Sequence, residues 1–93
     1  MHADKLRQRI AQWAATLKVK PTQIRLQHMT RKWASCSSAG RVTFSRELLD
    51  KPPAFQDCVI VHELLHLRIP NHGKLFAATL RAYLPANLWI DRI

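Results

Sequence analysis

The segment from Ala54 to Ile69 constrains the chain most, because it is apolar apart from Gln56, Asp57 and Arg68 near its ends and yet has His62, Glu63 and His66 embedded in it. A helix that is apolar nearly all round is a central one, covered by other elements on every side. A carboxylate placed in such a helix costs on the order of several kcal/mol unless something pairs with it. Any fold open to this chain must therefore bury the segment and also provide for Glu63. Pro52 and Pro53 are suited to start the helix, since the first helical turn tolerates a missing N–H. Pro70-Asn71 is the expected stop.

The embedded string reads His62-Glu63-Leu64-Leu65-His66. On a helix, residues i and i+4 lie one above the other on one face, so both imidazoles can converge on one metal ion while Glu63, one residue round, reaches its open coordination position. A catalytic zinc ion takes three protein ligands and leaves the fourth position to water. Beyond His66 the chain has one further His, His72, one Asp, Asp91, and no Glu, which excludes a third ligand drawn from a downstream Glu. Pro70-Asn71 supplies a turn that would return His72 toward the pair, so the expected ligands are His62, His66 and His72, with Glu63 as general base. A pair of ordinary core histidines would leave the charge of Glu63 unexplained; a metal-bound water explains it.

The rest of the chain reads as a small α+β scaffold. From Ala3 to Lys18, Leu6, Ile10, Trp13, Ala14 and Leu17 recur at helical spacing, and Pro21 follows. Gln23–His28 alternates as a half-buried strand, and Lys32–Cys36 and Arg41–Ser45 form two more, joined by a Ser37–Gly40 turn. Arg46–Asp50 is a helical turn. A last helix from His72 presents Phe76, Thr79, Leu80, Tyr83 and Leu84 until Pro85, and a short tail folds back through Leu88, Trp89 and Ile90. With 93 residues, the chain is expected to form one domain over 1–93.

Arg31-Lys32-Trp33-Ala34-Ser35-Cys36-Ser37, Gly40, Leu48-Leu49 with Pro53, Val59 to Leu67 around the two histidines, Asn71-His72-Gly73 and Phe76 resemble the YgjP-like metallopeptidase domain. The resemblance runs from about Trp13 to Pro85. It implies a zincin-like fold related to the SprT-like and WLM peptidases, zinc on the residues matching His62, His66 and His72, and Glu63 as catalytic base. Family members usually carry an additional N-terminal β-rich segment, so the chain resembles the catalytic core alone.

The expected activity is zinc-dependent hydrolysis of peptide bonds in a protein or peptide substrate. The substrate would add as a strand to an exposed sheet edge, either Lys32–Cys36 or Arg41–Ser45. Asn71, Tyr83, Arg31 and His28 have chemistry suited to an oxyanion donor, and Asp57, Asp50, Glu47 and Asp91 are the carboxylates that could orient the zinc histidines. Trp33, Cys36 and Cys58 are expected to pack in the core, and His2 and His28 show no metal-ligand spacing. Two other classes fit less well. A metal-dependent ribonuclease of the rRNA-maturation type has the same three-His spacing but Gly in place of Glu63 and Gly where this chain has Ile69, and a non-catalytic zinc-stabilised binding module is the class that a domain too short to wall a deep cleft would suit. Charge bears on partners: residues 1–51 hold eleven of the fifteen Lys and Arg, so the net charge of +9 sits mainly in the N-terminal half. A basic half of this kind suits nucleic acid or an acidic substrate. No membrane span or signal peptide is visible and only two cysteines are present, so the cytoplasm is the expected compartment.

Overall fold

The computed structural model describes residues 2–71 and 73–84. His72 and the expected tail through Leu88, Trp89 and Ile90, together with Asp91, lie outside the described residues. The order of elements is α1 (Ala3–Leu17), β1 (Gln23–Gln27), β2 (Ala34–Cys36), β3 (Arg41–Ser45), a 3-10 turn (Arg46–Asp50), α2 (Pro53–Leu65) and α3 (Lys74–Tyr83). This is the α+β arrangement that the sequence pattern predicts. Among the described residues, no helix is long and apolar enough to cross a membrane.

Helix α1 buries Leu6, Ile10, Ala14 and Leu17, the stripe set by its helical period. It ends at Lys18, whose φ of 58° is left-handed and whose N–H reaches back to the carbonyls of Ala14 and Ala15. That is the usual way of closing a helix, although glycine adopts this conformation at lower cost. The three strands form one sheet in the order β1-β3-β2. β1 runs parallel to β3, with Ile24 opposite Val42, and β2 runs antiparallel to β3, with Ser35 opposite Thr43. Arg41–Ser45 is thus the central strand, which removes it as the substrate edge; of the two expected candidates, β2 is the one at an edge. Gly40, at φ +86°, makes the tight turn that lets β2 and β3 pair, and it packs against Thr22.

Helix α2 is covered as expected: Gln56 and every residue from Cys58 to Leu65 are buried. Val59, Ile60, Val61, Leu64 and Leu65 meet Val42 and Phe44 of the sheet, the α1 stripe, Leu48, and Phe76 and Leu80 of α3 in one core. Gln56 Nε2 donates to the Leu48 carbonyl at 2.7 Å and so fixes the start of α2 against the 3-10 turn. The helix is shorter than the apolar run. Regular helix stops at Leu65, and the chain continues through shorter-range bonds, with the Leu67 N–H on Leu64 and the Arg68 N–H on Leu65. Pro70 disfavours helical backbone just before it, and the winding tightens in the preceding turn.

One polar cluster joins α1 to α2. Arg9 donates through Nε and Nη2 to the two Asp57 oxygens at 2.5 and 2.8 Å, and Trp13 Nε1 donates to Asp57 Oδ1 at 2.9 Å. The paired carboxylate in turn holds the Arg9 guanidinium above its ordinary pKa. Charge-assisted, forked bonds of this kind are the stronger ones. Asp57→Ala is expected to lower stability by about 1–3 kcal/mol and the melting temperature by roughly 5–15 °C. Urea denaturation of Asp57→Ala, Arg9→Ala and the double variant should give a coupling energy near 1 kcal/mol, on the order seen for charge-assisted bonds.

Candidate metal and peptide site

The C-terminal end of α2 and the edge strand β2 enclose a cleft of about 570 Å³. His62, Glu63 and His66 line it from the helix, and Ala34 to Ser38 line it from β2 and the turn that follows. The helix brings the two imidazoles together because they are one turn apart: their ring centroids are 5.0 Å apart and their planes nearly perpendicular. Glu63 Oε2 lies 3.9 Å from His62 Nδ1. His62 and Glu63 are only 5% and 6% exposed, and both line the cleft.

Phe76 of α3 holds both rings. It stacks on His66 at 4.7 Å and meets His62 edge-on at 5.2 Å. Its apolar spacing in the last helix marks it as a core residue; only the packing of α3 on α2 shows that it positions the pair. The donor set suits a metal such as zinc: two imidazoles on one helix face, a buried carboxylate beside them, and a helix C-terminus whose dipole favours a cation. The third expected ligand, His72, lies outside the described residues, and among the described residues no group of three His, Cys, Asp or Glu side chains is gathered around one point.

Two of the four carboxylates considered as orienting partners, Asp57 and Glu47, are engaged elsewhere, and Asp91 lies outside the described residues. Asp57 is held by Arg9 and Trp13. Glu47 accepts a hydrogen bond from Ser45 Oγ and lies 2.5 Å from His28 Nδ1, and the Ser45 bond is the main reason its carboxyl sits below the ordinary range. His28 thus pairs with a carboxylate where its sequence spacing suggests no task. His28 and Arg31 line a different cleft, near the loop after β1, and Tyr83 packs edge-on against Trp13 at 6.4 Å. Trp33 packs as expected, edge-on to Phe55 at 5.1 Å. Cys58 is buried as expected, and Cys36 packs against the core as expected while also lining the cleft. The strand is only three residues long, so no alternation in the sequence marks which of its residues meet the cleft.

The sequence matches the family described as YgjP-like, metallopeptidase domain, over residues 2–91. The fold is similar to that of the metallopeptidase zymogen of Methanocaldococcus jannaschii jannalysin, with a TM-score of 0.78 and 24% identity over 88% of this chain and 84% of that one. It is also similar to the metallopeptidase zymogen of Pyrococcus abyssi abylysin, with a TM-score of 0.76 and 17% identity over 88% of this chain and 82% of that one. At these identities the likeness is one of fold. No curated protein matches the chain.

Cys36 reports on the charge in the cleft. Burial, and then the negative charge of Glu63, push its thiol above the ordinary value. In the metal-free protein Cys36 is expected to react with iodoacetamide several-fold more slowly than an unfolded-peptide thiol near neutral pH. Glu63→Gln removes that charge and is expected to quicken the reaction. A mass-spectrometric time course measures both, and Cys58, 1% exposed, is expected to stay unmodified until the protein unfolds. Equal rates with and without the carboxylate would show that Cys36 does not sense Glu63.

Proposed function

The chain belongs to the YgjP-like metallopeptidase family, and from that premise we propose that it hydrolyses peptide bonds in the cleft between β2 and the end of α2, with zinc held by His62, His66 and His72. The observation that carries this reading is the meeting of a buried carboxylate and two imidazoles, one helical turn apart, on a cleft walled by an edge strand. Imidazole nitrogens suit zinc, and the tight, Phe76-backed pair leaves little freedom to be lost on binding.

When bound, zinc lowers the pKa of water toward about 7 and polarises the scissile carbonyl. The remaining tasks fall to the protein. Glu63 accepts a proton from the attacking water and passes it to the departing amine, a transfer that needs a carboxylate within one hydrogen bond of the reacting centre. The unpaired backbone of β2 offers an extended substrate a ladder of main-chain bonds with little demand on its sequence. Ala34 to Ser38 give the β2 side of the cleft small, uncharged side chains, and Lys32 places one cation at its rim.

Glu63→Gln is expected to retain zinc and lose cleavage of an unfolded protein by about 10²- to 10⁴-fold. His62→Ala and His66→Ala are expected to lose both metal and cleavage, and His72→Ala most of its metal, as measured by elemental analysis of the purified proteins. Stoichiometric zinc in His72→Ala would show that the third ligand is another residue. Cleavage of single-stranded RNA that persists in Glu63→Gln, with no proteolysis by the wild type, would replace the peptidase reading with a nuclease one.

A further inference from the structure

Ser37, Ser38, His66 and Pro70 border two clefts at once: the one just described and an adjoining groove of about 650 Å³. The second groove continues from the turn after β2 to the connection between α1 and β1. Lys18 and Lys20 line it from that connection and Arg68 lines it from the end of α2, with no carboxylate and no Phe, Tyr or Trp among its lining residues.

The walls are fixed. Thr22 donates through its N–H to the Gly40 carbonyl and through Oγ1 to the Ala39 carbonyl, both at 2.9 Å, which ties the α1–β1 connection to the turn after β2. Arg68 Nη1 donates to the Leu17 carbonyl at 3.0 Å, which leaves the other guanidinium donors to the groove. Lys18 stands at the helix-ending position with φ 58°, where glycine would be easier to accommodate.

We propose that this groove is a specificity subsite that takes acidic side chains of the substrate on one side of the scissile bond. The inference rests on the peptidase reading of the adjoining cleft: a chain paired along β2 passes His62, Glu63 and His66 and then enters the groove. Three cations without a compensating acid select Asp and Glu by charge complementarity. A nucleic-acid strand would present the same negative charge, but single-stranded binders rely on aromatic platforms for their bases, and the groove has none. Its continuity with the edge-strand cleft favours a peptide.

The test uses zinc-loaded Glu63→Gln protein and two fluorescent decapeptides, one alternating Glu and Ala, the other Gln and Ala. Fluorescence anisotropy is expected to show roughly tenfold tighter binding of the Glu peptide at low salt, shrinking toward parity at high salt. Adding Lys18→Gly and Lys20→Gln is expected to reduce the preference to about twofold or less; glycine at position 18 relieves the backbone, so the fold is retained, as circular dichroism will check. Removing the same charge at Lys5 and Arg46 is expected to leave the preference intact. Equal binding of the two peptides, a preference unchanged by the lysine changes, or tighter binding of a single-stranded DNA decamer would overturn the proposal. Wild-type cleavage of an unfolded protein separates the two readings. Cutting without peptide-charge preference removes the subsite and keeps the peptidase. Lysine-dependent preference for Glu without any cutting removes the peptidase and keeps the acidic-chain groove.

Discussion

Helix α2 has to be buried on nearly every side while one short stretch of it faces a cleft, and the rest of the molecule is arranged around that requirement. The helix carries no apolar stripe that could be laid on a single partner; its residues from Cys58 to Leu65 are all covered. One layer is therefore not enough. The sheet, α1, the 3-10 turn and α3 each take a share of its surface. The place left open is the one where His62, Glu63 and His66 meet β2, so the same packing that stabilises the helix isolates its polar residues at one opening.

The sheet order follows from a short hairpin and a long connection. β2 and β3 pair through a four-residue turn that needs Gly40 at positive φ, and β1 then adds to the far side of β3 in parallel. This puts the longest continuous pairing, β1 with β3, away from the cleft and leaves β2 with an open edge beside the histidines. An open edge is an aggregation hazard in most small proteins. Here it is a three-residue strand beside a recessed cleft, short enough to limit such pairing and well placed for an extended chain.

Much of this was legible in the residues. The α1 stripe, the three strands, the helical turn after β3, the buried helix and the last helix all follow from apolar periodicity and from Pro and Gly placement. His62 and His66 share a face because a helix has 3.6 residues per turn. What could not be read depends on contacts between elements remote in sequence. Asp57 is a plausible partner for the histidines in sequence, yet it lies near the start of α2 and pairs with Arg9 and Trp13. Glu47 pairs with Ser45 and His28. Phe76 reads as ordinary core and turns out to back both imidazoles. Cys36 packs against the core as its sequence context suggests, and it also lines the cleft, which that context does not show.

The net charge divides in the same way. Its concentration in the N-terminal half is plain from counting, but counting does not show that Lys18, Lys20 and Arg68 border one groove next to the histidines. The elements, the buried helix and the facing pair of histidines follow from the order of residues alone, because they rest on local periodicity and on the cost of burying a carboxylate. Which strand is the edge, which aromatic ring backs the pair, where Asp57 and Glu47 are engaged and where the basic residues converge are set by how the elements pack. Those outcomes depend on packing between segments tens of residues apart, for which no local pattern exists.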